Sequence, residues 1–288
     1  MSDPRCIWPL AAELGEGPCW VDDALWFVDI MGQKIHRLEP ESGAARTWAA
    51  PARVSFALPM DDGAFVVGLP GGIHRFDPRK GRFSLLAKIE ADLPDNRTND
   101  ACVAPDGALW FGTLNESETE ATGALYRWGG STIEPEIKDR DYVISNGPAF
   151  SPDGHVLYHT DTLQRNIYAF DVGVDGQLSG KRIHIHIEDG AGWPDGSTVD
   201  AEGCLWVALW DGSCVRRYSP AGALLREVRL PCARVTKLAF GGQQLRTIYV
   251  TTALKGLAPP ERMRTPLGGG VFTLEADAPG LPQHRFGL

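Results

Sequence analysis

The sequence has no apolar segment that could form a membrane span or an export signal. None of its hydrophobic runs approaches the roughly 20 residues that a bilayer-crossing helix needs. The first residues, MSDPRCIWPLAAELGEG, contain no continuous apolar core, and Pro9 interrupts the apolar residues that are there. We therefore expect a cytoplasmic protein without a membrane partner.

Cysteine is sparse, and positive charge is outnumbered by negative charge. The six cysteines lie at positions 6, 19, 102, 204, 214 and 232 without any C-x-x-C pair, which argues against a structural zinc cluster. We expect reduced thiols. The 28 Lys and Arg against 37 Asp and Glu give a net charge of −9. This balance argues against a nucleic-acid partner, because phosphate binding needs clustered cations.

Two further patterns are missing. There is no G-x-S-x-G segment, so hydrolysis by an activated serine has no support. There is also no amphipathic helical stretch of useful length, which argues against a solenoid of strand-and-helix repeats. The sequence is instead rich in glycine, with 33 residues, and in proline, with 21, and apolar runs fall between them. Together with nine Trp, this composition favours strands joined by many turns.

One short all-β unit recurs along the chain. Each copy has a small turn, often Asp-Gly, followed by a β-rich run with a Leu-aromatic pair. The clearest copies are DDALWFVDI (22–30), PDGALWFGT (105–113), PDGHVLYHT (152–160) and AEGCLWVAL (201–209), and looser ones are DDGAFVVGL (61–69) and GQQLRTIYVTT (242–252).

A short lead-in precedes each copy and sets the period of the repeat. The lead-ins align at Glu16, Ser55, Asn99, Asn146, Asp195 and Thr236, which are 39 to 49 residues apart. Several strands per unit with this period are typical of propellers. We predict an all-β, six-bladed β-propeller that forms a single domain over residues 1–288, with the two termini sharing one blade.

The aligned lead-in residues are all polar and carry oxygen. The innermost strand of a propeller blade lines the central channel, so these side chains are expected near one channel mouth. Asn and Asp also cap strand ends and form turns, which is the structural interpretation of any one of them. Two carboxylates in one channel would repel each other without a cation, and oxygen ligands suit a hard divalent ion.

Four ordered segments resemble a known family. They are LGEGPCW (14–20), RTNDACVAPDG (97–107), SNGPAFSPDG (145–154) and PDGSTVDAEGCLWVALWDG (194–212), and they resemble the regucalcin/gluconolactonase family of sugar lactonases. The resemblance extends from about residue 10 to residue 274. The tract YHTDTLQRNIYAFD (158–171) is most similar to bacterial aldonolactonases, including those that act on pentonolactones.

The resemblance implies a metal-dependent active site. Glu16, Asn146 and Asp195 would hold one divalent ion, which could be calcium, zinc, manganese, magnesium or iron(II). Arg97 and Asn99 match positions that contact substrate or complete the metal surroundings. The sequence departs from the family after the first Gly-Thr block, where GTLNESETEATG leaves Glu116 as the candidate for a further substrate contact.

The expected reaction is hydrolysis of a pentono- or hexonolactone to the aldonic acid. Asp195 would also accept a proton from the attacking water, unless hydroxide on the metal does so, and Arg97 would bind sugar oxygens or the developing oxyanion. Trp193 either walls the sugar pocket or packs structurally. The alternatives are a propeller esterase or phosphotriesterase and a non-catalytic metal-binding propeller. We expect a monomer or small homo-oligomer.

Two further features stay open. His184 and His186 alternate on one predicted strand and have a structural interpretation, whereas His159 is kept as a site candidate. Residues 115–122 are polar and lack a strand pattern. We expect this segment to lie over the channel mouth and to select among lactones.

Overall fold

The fold consists of six four-stranded antiparallel sheets. In the computed structural model, residues 3–129 and 134–287 are described. Their strands form six sheets of four strands each, which we call blades 1 to 6. Neighbouring blades meet through their innermost strands, except that blade 3 contacts the second strand of blade 2. The predicted six-bladed β-propeller is confirmed.

The first three blades follow the chain from the inside outward. Blade 1 contains β2 (Gly15–Val21), β3 (Ala24–Asp29), β4 (Lys34–Glu39) and β5 (Ala44–Ala49). Blade 2 contains β6 (Ala57–Pro59), β7 (Phe65–Leu69), β8 (Gly72–Asp77) and β9 (Arg82–Lys88). Blade 3 contains β10 (Asn96–Val103), β11 (Leu109–Asn115), β12 (Gly123–Trp128) and β13 (Glu136–Tyr142).

The last three blades continue the ring. Blade 4 contains β14 (Ser145–Phe150), β15 (Val156–Asp161), β16 (Asn166–Val172) and β17 (Leu178–His186). Blade 5 contains β18 (Trp193–Val199), β19 (Leu205–Trp210), β20 (Cys214–Tyr218) and β21 (Leu224–Arg229). Blade 6 contains β22 (Val235–Gly241), β23 (Thr247–Thr252), β24 (Val271–Glu275) and, as its outermost strand, β1 (Arg5–Trp8).

The two ends of the chain share blade 6, as the sequence predicts. Strand β1 pairs antiparallel with β24, with Arg5 opposite Thr273 and Cys6 opposite Phe272. Trp8 then packs edge-on against Phe27 of blade 1, with 5.6 Å between the ring centroids. The first strand of the chain therefore completes the last blade before the chain enters the first.

The Asp-Gly turns of the repeat form tight hairpins. Gly107 has a φ of 80°, a conformation that glycine adopts without strain, and its N–H donates to the Ala104 carbonyl at 2.9 Å. The preceding Asp106 carboxylate accepts a hydrogen bond from the Ala108 N–H at 3.0 Å. These local bonds bring β10 and β11 together without help from other blades.

The tryptophans of the Leu-aromatic pairs pack from one blade to the next. Trp26 lies 4.2 Å from Phe65, Trp110 lies 5.6 Å from Phe150, and Trp206 lies 6.2 Å from Phe240, measured between ring centroids. Each pair joins two neighbouring blades, and all three tryptophans are buried. Burial of such aromatic area stabilises the contacts between blades.

Helix is rare in the described residues. They contain one short α-helix, α1 (Pro259–Arg264), and single 3₁₀ turns at Val174–Gly176 and Gln243–Leu245. None of these described helical segments has the length and apolar character required to cross a membrane.

The C-terminal strap, residues 276–287, crosses the channel mouth where the inner strands end. Its Pro279 carbonyl accepts a hydrogen bond from the Ala201 N–H at 2.8 Å in blade 5. Further along, the Phe286 N–H donates to the Pro59 carbonyl at 2.8 Å in blade 2. The Phe286 ring is fully buried, 5.2 Å from the ring of Trp128 in blade 3. The strap thus connects blades on opposite sides of the ring.

We predict that Phe286→Ala destabilises the whole propeller. Removing a fully buried Phe costs about 3–5 kcal/mol, which corresponds to a fall in Tm of roughly 6 °C or more in a chain of this size. The matched control is His284→Ala in the same strap, where the side chain is only partly buried. Thermal unfolding followed by circular dichroism compares the two, and equal Tm values would contradict a structural role of the Phe286 ring.

Candidate functional site

A cavity of about 370 Å³ lies where the inner strands begin, at the channel mouth opposite the strap. Six of the seven predicted site residues line it: Glu16, Arg97, Asn99, Asn146, Trp193 and Asp195. They come from the first strands of blades 1, 3, 4 and 5. Residues far apart in the sequence therefore meet at one mouth of the channel.

The other two aligned lead-in residues do not line this cavity. The Ser55 hydroxyl shares a hydrogen bond of 2.6 Å with the Thr98 hydroxyl. The Thr236 hydroxyl donates to the Gly15 carbonyl at 2.6 Å. These two side chains join neighbouring blades, which is the structural role that the sequence left open for each lead-in residue.

A bulge places the functional side chains at the start of the inner strands. In β2 the register with β3 shifts between Glu16 and Cys19, and in β14 the register with β15 shifts between Asn146 and Ala149. Gly17 and Gly147 have φ values of 55° and 52° at these bulges. The proline that follows each of them has no N–H to pair. The x-Gly-Pro motif therefore bends the strand and turns its first side chain into the channel.

Buried negative charge is concentrated in this cavity. Burial, followed by the charge of Asp100, raises the pKa of Glu16 to about 8. Burial and then the charge of Glu16 raise the pKa of Asp195 well above its ordinary value. Asp100 itself forms a buried ion pair with Lys237, and its second oxygen accepts the Gly147 N–H at 2.9 Å. With all of these groups ionised, Glu16 and Asp195 leave a charge of −2 that Lys237 does not neutralise.

This donor set fits a hard divalent cation. Two carboxylates and the amide oxygen of Asn146 are oxygen ligands of the kind that calcium, magnesium and manganese prefer. A +2 ion would balance the two buried carboxylates and stabilise their ionised forms. Within residues 3–129 and 134–287, no group of three or more His, Cys, Asp or Glu side chains is arranged to hold a metal. The candidate ligand set therefore depends on the asparagine.

Arg97 lies beside the candidate ligands and is held from behind by Glu116. The Arg97 side chain is 5% exposed, and its Nη1 donates to Asn99 Oδ1 at 2.8 Å. Its Nε lies 3.1 Å from Glu116 Oε1, and Glu116 also contacts Arg53. The structure does not place Glu116 among the residues that line the cavity.

Glu118, two residues further along, does line the cavity and forms an ion pair with Lys255 of the loop after β23. The segment 115–122 therefore reaches the channel mouth through Glu118. Sequence reasoning identified the segment but not this residue, because a segment without strand periodicity gives no indication of which side chain points inward.

Two tryptophans form one wall of the cavity. Trp193 and Trp210 are cross-strand partners in β18 and β19, and both line the cavity. The guanidinium of Arg165 lies 4.7 Å from the ring centroid of Trp193, and that of Arg234 lies 4.9 Å from Trp210. Such contacts hold the rings in place. Trp210 was missed from the sequence, although its position at the end of the strand that pairs with Trp193 could have indicated it.

The candidate histidine lies behind the site. His159 is fully buried, and its Nε2 shares a hydrogen bond of 3.0 Å with the hydroxyl of Ser145. Burial lowers the pKa of His159 to about 3, so the imidazole is neutral at physiological pH. His184 and His186 lie on β17, the outermost strand of blade 4. None of these three histidines lines the cavity.

Residues 14–254 match the protein family described as the SMP-30/gluconolactonase/LRE-like region. The chain is 33% identical over 285 residues to a 6-deoxy-6-sulfogluconolactonase of Pseudomonas putida, with 98% of each chain covered. It is 34% identical over 278 residues to an L-arabinolactonase of Azospirillum brasilense, covering 95% of this chain and 92% of the relative. The resemblance inferred from the motifs is confirmed.

Solved structures of similar proteins share the fold. The crystal structure of regucalcin from Agrobacterium tumefaciens, described as a calcium-binding protein, superposes with a TM-score of 0.94 at 28% identity, covering 100% of both chains. A gluconolactonase from Xanthomonas campestris superposes with a TM-score of 0.78 at 25% identity, covering 94% of this chain and 89% of the other.

We predict that Glu16→Gln stabilises the metal-free protein much more at pH 8 than at pH 5. The folded-state pKa of about 8 lies above the ordinary value of 4.5, so between these values the folded state binds more protons than the unfolded state. The Glu16 carboxyl therefore makes stability fall as pH rises. We expect the Tm of the variant to exceed that of wild type by about 4 °C or more at pH 8 with chelator. Glu120→Gln, at an exposed position, is the control. An equal pH dependence in wild type and Glu16→Gln would contradict the prediction.

Proposed function

The chain belongs to the SMP-30/gluconolactonase/LRE-like family, and we propose that it is a sugar lactonase that hydrolyses an aldonolactone with the help of one divalent metal ion. The observation that carries the proposal is the convergence of Glu16, Asn146 and Asp195 from three blades in one buried cavity. Two relatives that are named lactonases match this chain over almost their whole length, and they support lactone hydrolysis as the reaction class.

The metal would be held by the Glu16 and Asp195 carboxylates and by the Asn146 amide oxygen. When bound, such an ion supplies a Lewis acid that polarises the lactone carbonyl and lowers the pKa of a water molecule. Calcium is the first ion to test, because the similar Agrobacterium protein is described as calcium-binding.

The chain's own groups have separate roles in the proposed reaction. The Asp195 carboxylate lines the cavity and would take the proton from the attacking water, because burial raises its pKa well above the ordinary value and so makes it a stronger base. The Arg97 guanidinium would donate to the oxygen on which negative charge develops as the lactone is attacked. Asn99 fixes Arg97 through the 2.8 Å hydrogen bond to its Nη1. The tryptophan wall would exclude water from one side of the sugar ring.

The charge of the cavity favours a neutral, polyhydroxylated substrate. Among the described residues, Arg97, Arg234 and Lys255 are the cationic side chains that line the cavity. They are paired with Glu116, Asp211 and Glu118 respectively. An anionic substrate would have to compete with these carboxylates, whereas sugar hydroxyls can bond to either partner of a pair. Pentono- and hexonolactones meet this requirement.

We predict that chelation abolishes lactone hydrolysis and that a divalent ion restores it. Glu16→Gln, Asn146→Ala and Asp195→Ala should each weaken metal binding at least tenfold and lower kcat/KM, with the fold retained. Calorimetric titration of chelated protein with Ca²⁺, Mn²⁺ and Zn²⁺ measures affinity, and a panel of pentono- and hexonolactones measures activity. Ser55→Ala is the control, because Ser55 is aligned with the candidate ligands but does not line the cavity.

Two outcomes would contradict this proposal. Full turnover by a chelated sample without residual metal would exclude the metal-dependent reaction. Activity on aryl esters or phosphotriesters that exceeds activity on every lactone of the panel would assign the site to a different ester class.

We predict that Glu118 contributes to the choice among lactones. Glu118→Gln should change the ratio of kcat/KM between a pentonolactone and a hexonolactone by about tenfold, which is the effect of one hydrogen bond to a sugar hydroxyl. Glu120→Gln, in the same segment but exposed, should leave the ratio unchanged. If both rates fall together in Glu118→Gln, the residue supports the site without selecting between substrates.

A further inference from the structure

Thr162 connects two blades directly behind the candidate metal ligands. It follows β15, and its side chain lines the cavity although the residue is only 7% exposed. Its backbone N–H donates to the Ile144 carbonyl at 3.1 Å, which fixes the position of the residue. Its hydroxyl donates to the Pro194 carbonyl of blade 5 at 2.9 Å and accepts from Asn146 Nδ2 at 3.0 Å.

This hydroxyl ends a continuous chain of hydrogen bonds that spans blades 3, 4 and 5. Arg97 Nη1 donates to Asn99 Oδ1 at 2.8 Å. Asn99 Nδ2 then donates to Asn146 Oδ1, also at 2.8 Å. Asn146 Nδ2 donates to the Thr162 hydroxyl, which donates to the Pro194 carbonyl. Each side chain between the two ends accepts one hydrogen bond of this chain and donates the next one.

The chemistry of the two ends fixes the direction of every bond in this chain. A guanidinium can only donate, and a backbone carbonyl can only accept. Asn99 Oδ1 must therefore face Arg97, which leaves Asn99 Nδ2 to face Asn146. A second bond from Asn99 Nδ2 to the Ser145 carbonyl, at 2.9 Å, supports the same orientation. The Asn146 amide is thereby held with its nitrogen toward Thr162.

The orientation of this amide matters because only its oxygen is a metal ligand. With the nitrogen bonded to Thr162, the oxygen is turned away from Thr162 and receives one hydrogen bond from Asn99. A carbonyl oxygen has two lone pairs, so a second one is free for a cation. If the amide rotated by half a turn, its nitrogen would face Asn99 and two N–H donors would meet.

We propose that Thr162 is a positioning residue that keeps the amide oxygen of Asn146 available to the metal ion. The proposal rests on the proposed function, because it presumes that Asn146 is a ligand. The hydroxyl serves as the acceptor that the amide nitrogen requires, and the Pro194 carbonyl holds the hydroxyl hydrogen on the other side. Residues that orient metal ligands in this way typically contribute about 10- to 100-fold to metal affinity.

The test compares three variants by calorimetric titration of chelated protein with Ca²⁺, or with Mn²⁺ or Zn²⁺ if the wild type prefers one of them. Thr162→Val has nearly the same shape but no acceptor, and should bind the ion about 10- to 100-fold more weakly. Thr162→Ser keeps the hydroxyl and should bind within about threefold of wild type. At saturating ion, kcat of Thr162→Val should return to within about threefold of wild type, because Thr162 acts through Asn146.

The matched control is Thr160→Val. Thr160 is the cross-strand partner of Asn146 and is fully buried, but its hydroxyl makes no hydrogen bond within the described part of the chain. The control should bind metal like wild type. Melting temperatures in chelator check that each variant folds, and Thr162→Ala removes the same hydroxyl should Thr162→Val fail to fold.

The outcomes separate this inference from the proposed function. Wild-type metal affinity in Thr162→Val would overturn the positioning role and leave the metal site intact. Equal weakening in Thr162→Ser or in Thr160→Val would also overturn it, because packing and not the hydroxyl would then be responsible. A wild-type protein that binds no divalent ion would instead overturn the metal site itself.

Discussion

Pairing of β1 with β24 is the contact on which the rest of this structure depends, because it completes the sixth blade and closes the ring. Without this pairing blade 6 would have three strands, and the chain that enters blade 1 would not be attached to the last blade. In the closed ring the Thr236 hydroxyl of blade 6 reaches the Gly15 carbonyl of blade 1 at 2.6 Å. Gly15 precedes Glu16, so closure also determines where one of the candidate metal ligands lies.

Closure of the ring buries several carboxylates at the centre of the propeller, which is electrostatically unfavourable. One of them is stabilised by fixed partners. Asp100 is ionically paired with Lys237 and accepts the Gly147 N–H, so its charge is balanced where the blades meet. Among the residues that the structure describes, no cation forms an ion pair with Glu16 or Asp195, and burial raises the pKa of both carboxyls. Buried carboxylates of this kind are expected where a cation or a proton transfer is part of the function. The two carboxyls whose pKa is raised by burial therefore lie at the site where the chemistry is proposed.

The hydrogen bonds among the polar groups around this site stabilise the interior and also determine how the side chains are oriented. Arg97 begins the donor chain, and burial lowers its pKa while Glu116 acts in the opposite direction. A donor-only group at one end leaves each following amide a single satisfying orientation. A buried network of this kind is stable only if every member is satisfied. In this protein the same requirement that keeps the interior stable also fixes the amide oxygen that the proposed metal needs.

The sequence by itself determined the repeat, the number of blades and the start of each inner strand. Hairpin turns and strand alternation depend on residues close together in the chain, so local patterns were sufficient to predict them. The bulges at Gly17-Pro18 and Gly147-Pro148 became visible only in the strand registers. Only the tertiary structure decided which polar lead-in residues reach the cavity, since Ser55 and Thr236 bond to neighbouring blades instead. It also decided that Glu118 lies against the cavity, that Trp210 stands beside Trp193, and that Thr162 meets Asn146. These positions lie in turns or at strand ends without periodicity, and their neighbours are determined by how the blades and loops pack in the closed ring.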